Sequence, residues 1–353
     1  MIERENLILP NGKGWITLAS LIAEKKYSKL FILVDENTEI LCLPIFYIKM
    51  EEMNEWKILK IRDGEKNKNI ETCIELWQEL LLEGADRHSL VINLGGGMIS
   101  DLGGFIASTF KRGIDFVNIP TTLLGMVDAS IGGKNGIDFK NAKNQVGTVN
   151  QPKLVVIEHS FLKTLPKEQL ISGMAEMMKH SLISSKDSWN RFVTSDLNDK
   201  AIFENLIWES IEIKNKIVQR DPLEKGLRKT LNFGHTLGHA IESHCLDNPY
   251  REALLHGEAI AIGIILATFL STELLGFPQN ELLEVYNTIE SYFPKQKFSK
   301  NEISNIIKLL SYDKKNIGGK VLFVLLEEIG KPKTDCFVSD SLIFNAFEFY
   351  EKS

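Results

Sequence analysis

The sequence predicts a two-domain fold: an α/β, Rossmann-like nucleotide-binding domain over residues 1–158, then an all-α domain over residues 159–353 that carries metal- and substrate-binding groups. Three observations support this. The chain has 353 residues, long for one hydrophobic core. Its first half alternates short apolar β-rich runs with helical periods, the pattern of a mostly parallel sheet covered by helices. After about residue 160 long helical periods take over.

In order, the predicted strands are FILVDEN, WKILKI, LVINLGGG, FVNIP and LVVIE. NIETCIELWQELLLEG is an amphipathic helix that ends at a glycine. The segment from Gly132 to Gln151 is rich in Gly, Asn and Lys and is expected to form an active-site loop. The second half supplies EQLISGMAEMMKHSLI, AIFENLIWESIEIKNKIVQRD, NFGHTLGHAIESH, GEAIAIGIILATFLSTELLG and ELLEVYNTIESYF as helices. KVLFVLLEEIG is partly strand-like. The apolar run AIAIGIILATFL is shorter than a bilayer span and is expected to be a buried core helix.

Composition is that of an ordinary globular protein: 44% hydrophobic, 25% charged and 9% aromatic. The net charge of −6 argues against nucleic acid as a partner, since no basic excess marks a binding face. Four scattered cysteines, Cys42, Cys73, Cys245 and Cys336, form no CxxC and fit free thiols in a reducing cytoplasm. The charged N-terminus MIERENLILPNGKGW lacks the apolar stretch of a signal peptide.

Chemistry concentrates in a few places. Strand LVINL runs into Gly95-Gly96-Gly97 and then a helical pattern. Glycines at such a turn let backbone N–H groups approach a phosphate at a helix N-terminus. A tight packing turn would use the same residues. Asp35 follows the first predicted strand, where a carboxylate can accept from ribose hydroxyls or simply be a solvated loop acid. Thr121 and Thr122 follow FVNIP, at the strand end that faces the ligand crevice of an open sheet. Asp128, Lys134, Lys143 and Asn144 come soon after.

LNFGHTLGHAIESH holds three of the chain's seven histidines, and His235 and His239 are one turn apart on one helical face. A catalytic dication needs about three N/O ligands and an open position. The candidates are His180, His235, His239, His244 and His256, with Glu176, Glu242 and Glu258. Core histidines satisfied by backbone and carboxylates are the alternative. HxxxH without the glutamate of HExxH is not a protease signature.

GGGMISDLGGFIASTFKRG, PTTLLGMVDASIGGKNGIDF, KNQVG, FLKTLP, GMAEMMKH, GLRKTLNFGHTLGHAIE and LLHGEAIAIG occur in that order. Together they resemble the 3-dehydroquinate synthase family, over about residues 31–330. The resemblance implies a cytoplasmic homodimeric enzyme using NAD and a zinc or cobalt ion, with its active site between the two domains. It acts on 3-deoxy-D-arabino-heptulosonate 7-phosphate in the shikimate route to chorismate and aromatic amino acids. It implies Glu176, His235 and His256 as metal ligands and His239 as a substrate-facing hydrogen-bonding or proton-relay group. The implied NAD contacts are Asp35, Asn37, Asp63, Glu65, Lys68, Gly96, Gly97, Asp101, Thr121, Thr122, Lys134, Lys143, Phe161 and Thr164. The implied substrate contacts are Asp128, Lys134, Asn144, Lys179, Arg228, Asn232 and Lys314, with Lys315 the alternative to the last in the Asp-Lys-Lys run. Arg112 is implied at the phosphate, either within its own subunit or across the dimer interface. Ser100 and Glu158 depart from the family pattern, which commonly has Gly and Asp there. Other sugar-phosphate cyclases and metal-dependent alcohol or glycerol dehydrogenases are the competing enzymes, and a non-catalytic nucleotide-binding scaffold is the competing class.

Overall fold

In a computed structural model of the chain, residues 7–51, 55–139, 142–310 and 321–352 are described. They divide into two compact units, Met1–Leu170 and Ile171–Ser353.

The first unit holds strands β1 (Ile8–Pro10), β2 (Leu30–Asp35), β3 (Trp56–Ile61), β4 (Leu90–Gly95), β5 (Asp115–Pro120), β6 (Lys134–Phe139), β7 (Ala142–Val149) and β8 (Val155–Ile157). Its helices are α1 (Asn11–Lys25), α2 (Glu36–Leu41), α3 (Leu43–Lys49), α4 (Ile70–Leu82) and α5 (Gly97–Thr109). Six strands form one sheet in the order β1-β8-β5-β4-β2-β3, with every pairing parallel. All five predicted strands of this half lie in it. The chain goes from β2 to β3 on one side and returns to β4 on the other, so the strand order reverses around β2. Ligands of such sheets sit outside the carboxyl ends of the strands at that reversal. Those ends carry Asp35 and Gly95–Gly97.

The sheet is buried on both faces, as a parallel sheet must be. Phe31, Leu33, Val91 and Phe116 point to one face and pack with Leu76 and Leu80 of α4 and Leu102 and Ile106 of α5. Ile32, Val34, Ile92 and Leu94, of opposite parity, are equally buried. The α4 helix starts where Asn69 Oδ1 accepts from Thr72 N at 2.9 Å, and it gives way to Gly84 at φ 76°.

Gly132–Gln151 corrects the expectation of a loop. Most of it is an antiparallel ribbon of β6 and β7. The cause lies in the backbone. Gly136 faces Gly147 in the register, and a Cβ on Gly147 would come within 2.4 Å of the Asn135 carbonyl oxygen. The ribbon carries polar residues because it stands outside the sheet, so it shows no apolar alternation.

The second unit contains α6 from residue 171 onward (the whole helix is Lys167–Ser184), α7 (Lys186–Thr194), α8 (Lys200–Arg220), α9 (His235–Asp247), α10 (His256–Leu275), α11 (Gln279–Glu290), α12 (Lys300–Leu310) and α13 (Asp340–Lys352). It is helical, with one two-stranded antiparallel ribbon of β9 (Leu322–Leu326) and β10 (Pro332–Phe337). The apolar run Ala259–Leu270 belongs to α10 and is almost wholly buried, as expected of a core helix. By length and apolarity α10 would also pass as a membrane span, but 67% of that window is buried inside the protein.

Candidate active site

Three glycine contacts bring the histidines of the second unit together. Gly257 N donates to Ser172 Oγ at 2.9 Å, so the start of α10 lies on α6. A Cβ on Gly263 would fall 2.1 Å from Gly234 O, and one on Gly238 2.7 Å from Ile260 Cδ1, so α9 lies against α10. His235 and His256 each open a helix, and Glu176 is one turn beyond Ser172 on α6.

Glu176 is fully buried. Its Oε1 lies 3.2 Å from His235 Nε2 and 3.6 Å from His256 Nε2. Its Oε2 is in close contact with Lys179 Nζ. Neither oxygen completes a hydrogen bond. His239 joins the group: its ring centroid is 5.1 Å from that of His235 and 5.7 Å from that of His256. One ring nitrogen from each of the three histidines lies within 4.8 Å of the others.

The charges are set by these neighbours. Burial opposes ionisation of Glu176, but the Lys179 ammonium and the imidazoles outweigh it and hold the carboxyl well below its usual range. Burial, helped by Lys179, pushes His235 down. Burial would also push His256 down, yet the Glu242 and Glu176 carboxylates push it up to about 10. A buried carboxylate facing converging imidazole nitrogens fits the N/O donor set of a catalytic dication.

His180 also approaches Glu176, with a ring nitrogen within 4.8 Å of a carboxylate oxygen, and the other described candidates of this unit have partners of their own. Arg228 is buried; its Nη1 donates to Pro222 O at 2.7 Å and its backbone N to Asp221 Oδ2 at 3.0 Å. Asn232 Nδ2 donates to Glu224 Oε1 at 2.8 Å. Lys179 is buried beside Glu176. His244 is paired elsewhere, 3.7 Å from Glu302 on α12. His180 Nδ1 meets Ser210 Oγ at 2.7 Å. Glu258 accepts from Leu255 N at 2.7 Å, which makes it an N-terminal group of α10. Lys314 and Lys315 lie outside the described residues.

Sequence reasoning passed over Glu224, which orients Asn232, and Asp221. Asp221 accepts from the N–H groups of Lys225, Gly226 and Arg228, and these hold its carboxyl below the usual range. The available signal was the run DPLEKG, whose acids beside Pro and Gly suit a tight, hydrogen-bonded turn.

In the first unit, Gly96 and Gly97 open α5 with no side-chain cap. Its first-turn N–H groups are thus a ready anion site. A Cβ on Gly96 would come within 2.9 Å of Thr122, so only glycine leaves this cradle open. Thr121 N donates to Gly95 O at 3.0 Å, and Thr122 Oγ1 accepts from Gly125 N at 3.0 Å. Gly125–Ala129 is a wide π-turn that carries Asp128.

Asp35 caps α2 through one oxygen, which accepts from Asn37 N and Thr38 N at 3.0 and 2.8 Å. Asn37 Nδ2 donates to Asp63 Oδ2 at 3.1 Å. Lys68 is buried among Glu65 at 2.5 Å, Asp101 at 3.4 Å and Asp138 at 3.9 Å. Burial opposes its charge, but the three acids keep it protonated. One ammonium among three acids leaves an excess of negative charge, and burial pushes Asp101 up to about 7. Asn144 adopts φ 51°, and its N–H donates to Asp138 Oδ1 at 2.7 Å. Lys143 Nζ is 3.9 Å from Glu65. Lys134 is exposed at the start of β6. Arg112 is exposed in a left-handed turn, at φ 69°. Phe161 is buried, so its ring packs in the interior, and Thr164 Oγ1 donates to Phe161 O at 3.3 Å.

A parallel sheet with an open helix N-terminus at its strand reversal, and a helical unit with a buried carboxylate among three imidazoles, define the class of two-unit enzymes equipped for a nucleotide and a metal ion. Residues 58–172 match the family model described as 3-dehydroquinate synthase N-terminal, and residues 173–316 the one described as 3-dehydroquinate synthase C-terminal. A 3-dehydroquinate synthase of Parabacteroides distasonis is 41% identical over 100% of this chain and 99% of its own length. The chain belongs to the 3-dehydroquinate synthase family.

Two solved structures share the fold at 24% identity. One is ValA, a 2-epi-5-epi-valiolone synthase of Streptomyces hygroscopicus subsp. jinggangensis with NAD+ and Zn2+ bound; the TM-score is 0.85, over 100% of this chain and 98% of that one. The other is 2-deoxy-scyllo-inosose synthase with carbaglucose-6-phosphate, NAD+ and Co2+; the TM-score is 0.83, over 97% and 96%.

Proposed function

We propose that the chain is a 3-dehydroquinate synthase, a carbon–oxygen lyase that converts 3-deoxy-D-arabino-heptulosonate 7-phosphate into 3-dehydroquinate and phosphate. The observation that carries this is the approach of Glu176 Oε1 to the Nε2 atoms of both His235 and His256, beside the buried Lys179. Glu176, His235 and His256 would hold a zinc or cobalt ion, and the helix opening at Gly96–Gly97, with the residues around Lys68 and Thr122, would hold NAD. When bound, the ion supplies a Lewis acid for the substrate hydroxyl and NAD supplies a hydride acceptor that is regenerated each turnover.

The chain's own residues bind and orient. Arg228 offers a planar fork for the substrate carboxylate, and Asn232, held by Glu224, offers a directed amide. Lys179, Lys134, Asn144, Lys314 and Arg112 supply local positive or polar contacts that a net-acidic protein needs for a doubly anionic substrate. His239 is the group suited to move a proton at the substrate near neutral pH. Phosphate elimination lets the leaving phosphate itself accept the neighbouring proton, so not every step needs a protein base. The carboxylate-binding role of Arg228 and Asn232 favours the heptulosonate over sugar phosphates that lack a carboxylate. The same reading makes the enzyme a cytoplasmic homodimer, with the exposed Arg112 reaching a partner's phosphate site. Four free cysteines support a reducing compartment.

The experiment is to supply the heptulosonate phosphate with Zn2+ or Co2+ and catalytic NAD, following phosphate release and dehydroquinate formation. Stoichiometric phosphate and dehydroquinate, with no net NADH, are expected. Accumulation of NADH without phosphate release would instead make the chain a dehydrogenase.

A further inference from the structure

We propose that Glu242 is a positioning residue of the metal centre: its carboxylate accepts a hydrogen bond from Nδ1 of His256 and so turns Nε2 toward Glu176. This rests on the reading that Glu176, His235 and His256 hold the dication.

The geometry fixes the direction. Glu242 Oε2 lies 3.2 Å from His256 Nδ1, while Nε2 of the same ring faces Glu176. The two carboxylates therefore address opposite edges of one imidazole. That removes Glu242 from the set of direct ligands and gives it the outer position. It sits on α9 seven residues after His235, two turns along, on the face that carries His235 and His239. One helix thus supplies a ligand, the proton relay and the group that orients the second ligand. Glu242 is buried, at 5% exposure, where an ionised carboxylate requires a partner.

Chemistry then fixes the tautomer. A carboxylate oxygen accepts, so Nδ1 of His256 carries a proton toward Glu242, which leaves Nε2 as the nitrogen that would offer a lone pair to the dication. His235 is arranged in the same sense by a different group: its Nδ1 faces Phe233 O at 3.2 Å, and a carbonyl oxygen likewise only accepts. Both imidazoles present Nε2 toward Glu176, where the ion would be held, one backed by a neutral dipole and the other by a carboxylate. The charged partner makes His256 the more strongly donating ligand.

The test uses the full-length protein, stripped of metal, as wild type, Glu242→Gln, Glu242→Leu and His235→Ala. Zn2+ affinity is measured by competition with a chromophoric chelator, the Co2+ ligand-field spectrum is recorded, and melting of the metal-free protein is followed. Outer-sphere partners of metal-bound histidines typically contribute about 10–100-fold in affinity. The expected loss is about 10-fold for Glu242→Gln, which keeps an acceptor oxygen, and about 100-fold for Glu242→Leu, with altered cobalt bands in both. Wild-type Zn2+ affinity and an unchanged cobalt spectrum in Glu242→Gln and Glu242→Leu, alongside lost affinity in His235→Ala, would overturn the proposal, even if the metal-free proteins melt lower. Wild-type affinity in His235→Ala would overturn the ligand assignment, and this inference with it.

Discussion

Gly257 cannot carry a side chain where it stands: a Cβ there would fall 1.9 Å from the Ser172 carbonyl oxygen. The contact joins α6 to α10 between Glu176 and His256, one turn from the first and one residue from the second. Gly257→Ala should therefore separate Glu176 from His256. Overpacking of this kind typically costs about 1–3 kcal/mol. The expected outcome is a lower melting temperature together with weakened Zn2+ binding. A variant that melts lower but binds Zn2+ as tightly as wild type would show that the contact supports the fold alone.

His235→Ala and His256→Ala should each abolish metal binding and activity together. His239→Ala should keep the metal and lose turnover, by about 10²–10⁴-fold if it acts as a general acid or base. Metal analysis beside phosphate-release kinetics separates the cases. The reverse pattern, metal lost on His239→Ala and kept on His235→Ala, would exchange their roles; the mutual approach of all three rings makes that a real contest.

The two units differ in how much of their candidate sites the sequence disclosed. The buried strands LVINL and FILV are legible because a parallel sheet covered on both faces demands continuous apolar runs. Glu176 is legible as an acid inside an apolar helix, which must have a partner. The tie from His256 to Glu242 was not, because α9 and α10 meet through glycine contacts far apart in sequence, and spacing along one helix says nothing about the next. The β6–β7 ribbon was hidden for another reason: β6 buries Asn135, Gly136 and Ile137, of which one alone is a large apolar residue, so the burial leaves little hydrophobic pattern. Asp35 illustrates a third limit. A loop acid after a strand suits both a ribose and a helix cap, and the structure shows one of its oxygens engaged in the cap.

Lys68→Met should destabilise the first unit by leaving Glu65, Asp101 and Asp138 without their shared cation. Removing one partner of a fully buried ion pair costs about 3–5 kcal/mol. Here the acids keep 38%, 18% and 18% side-chain exposure, so about 2–3 kcal/mol is expected near pH 7, after discounting for solvent screening. Mild acid should partly restore the variant, since protonation removes the repulsion among the acids. NAD affinity, measured by fluorescence titration, should fall as well. A variant with wild-type stability at pH 7 would show that the three acids are already neutralised without Lys68.

Glu158 provides the pH dependence. Burial opposes its ionisation, but donation from Ser160, from Trp15 Nε1 at 3.0 Å and attraction to Lys49 hold its carboxyl below the usual range. A depressed folded-state value means the unfolded chain binds the proton more readily, so stability rises with pH across the interval between the two values. The contribution is fully present above the unfolded value, about 4.3 for glutamate, and is lost as pH falls through the folded value. Glu158→Gln keeps an acceptor for Trp15 but lacks the charge. Hydrogen bonds to charged groups contribute about 1.5–3 kcal/mol, so the variant should be about 1–2 kcal/mol less stable at pH 7. Urea unfolding followed by circular dichroism should show that gap constant from pH 8 to about 5 and narrowing below about 4. A gap that stays the same at every pH would mean that the carboxylate charge contributes nothing at this buried cap, and that only the shape of the side chain holds α1 to the turn carrying Phe161 and Thr164.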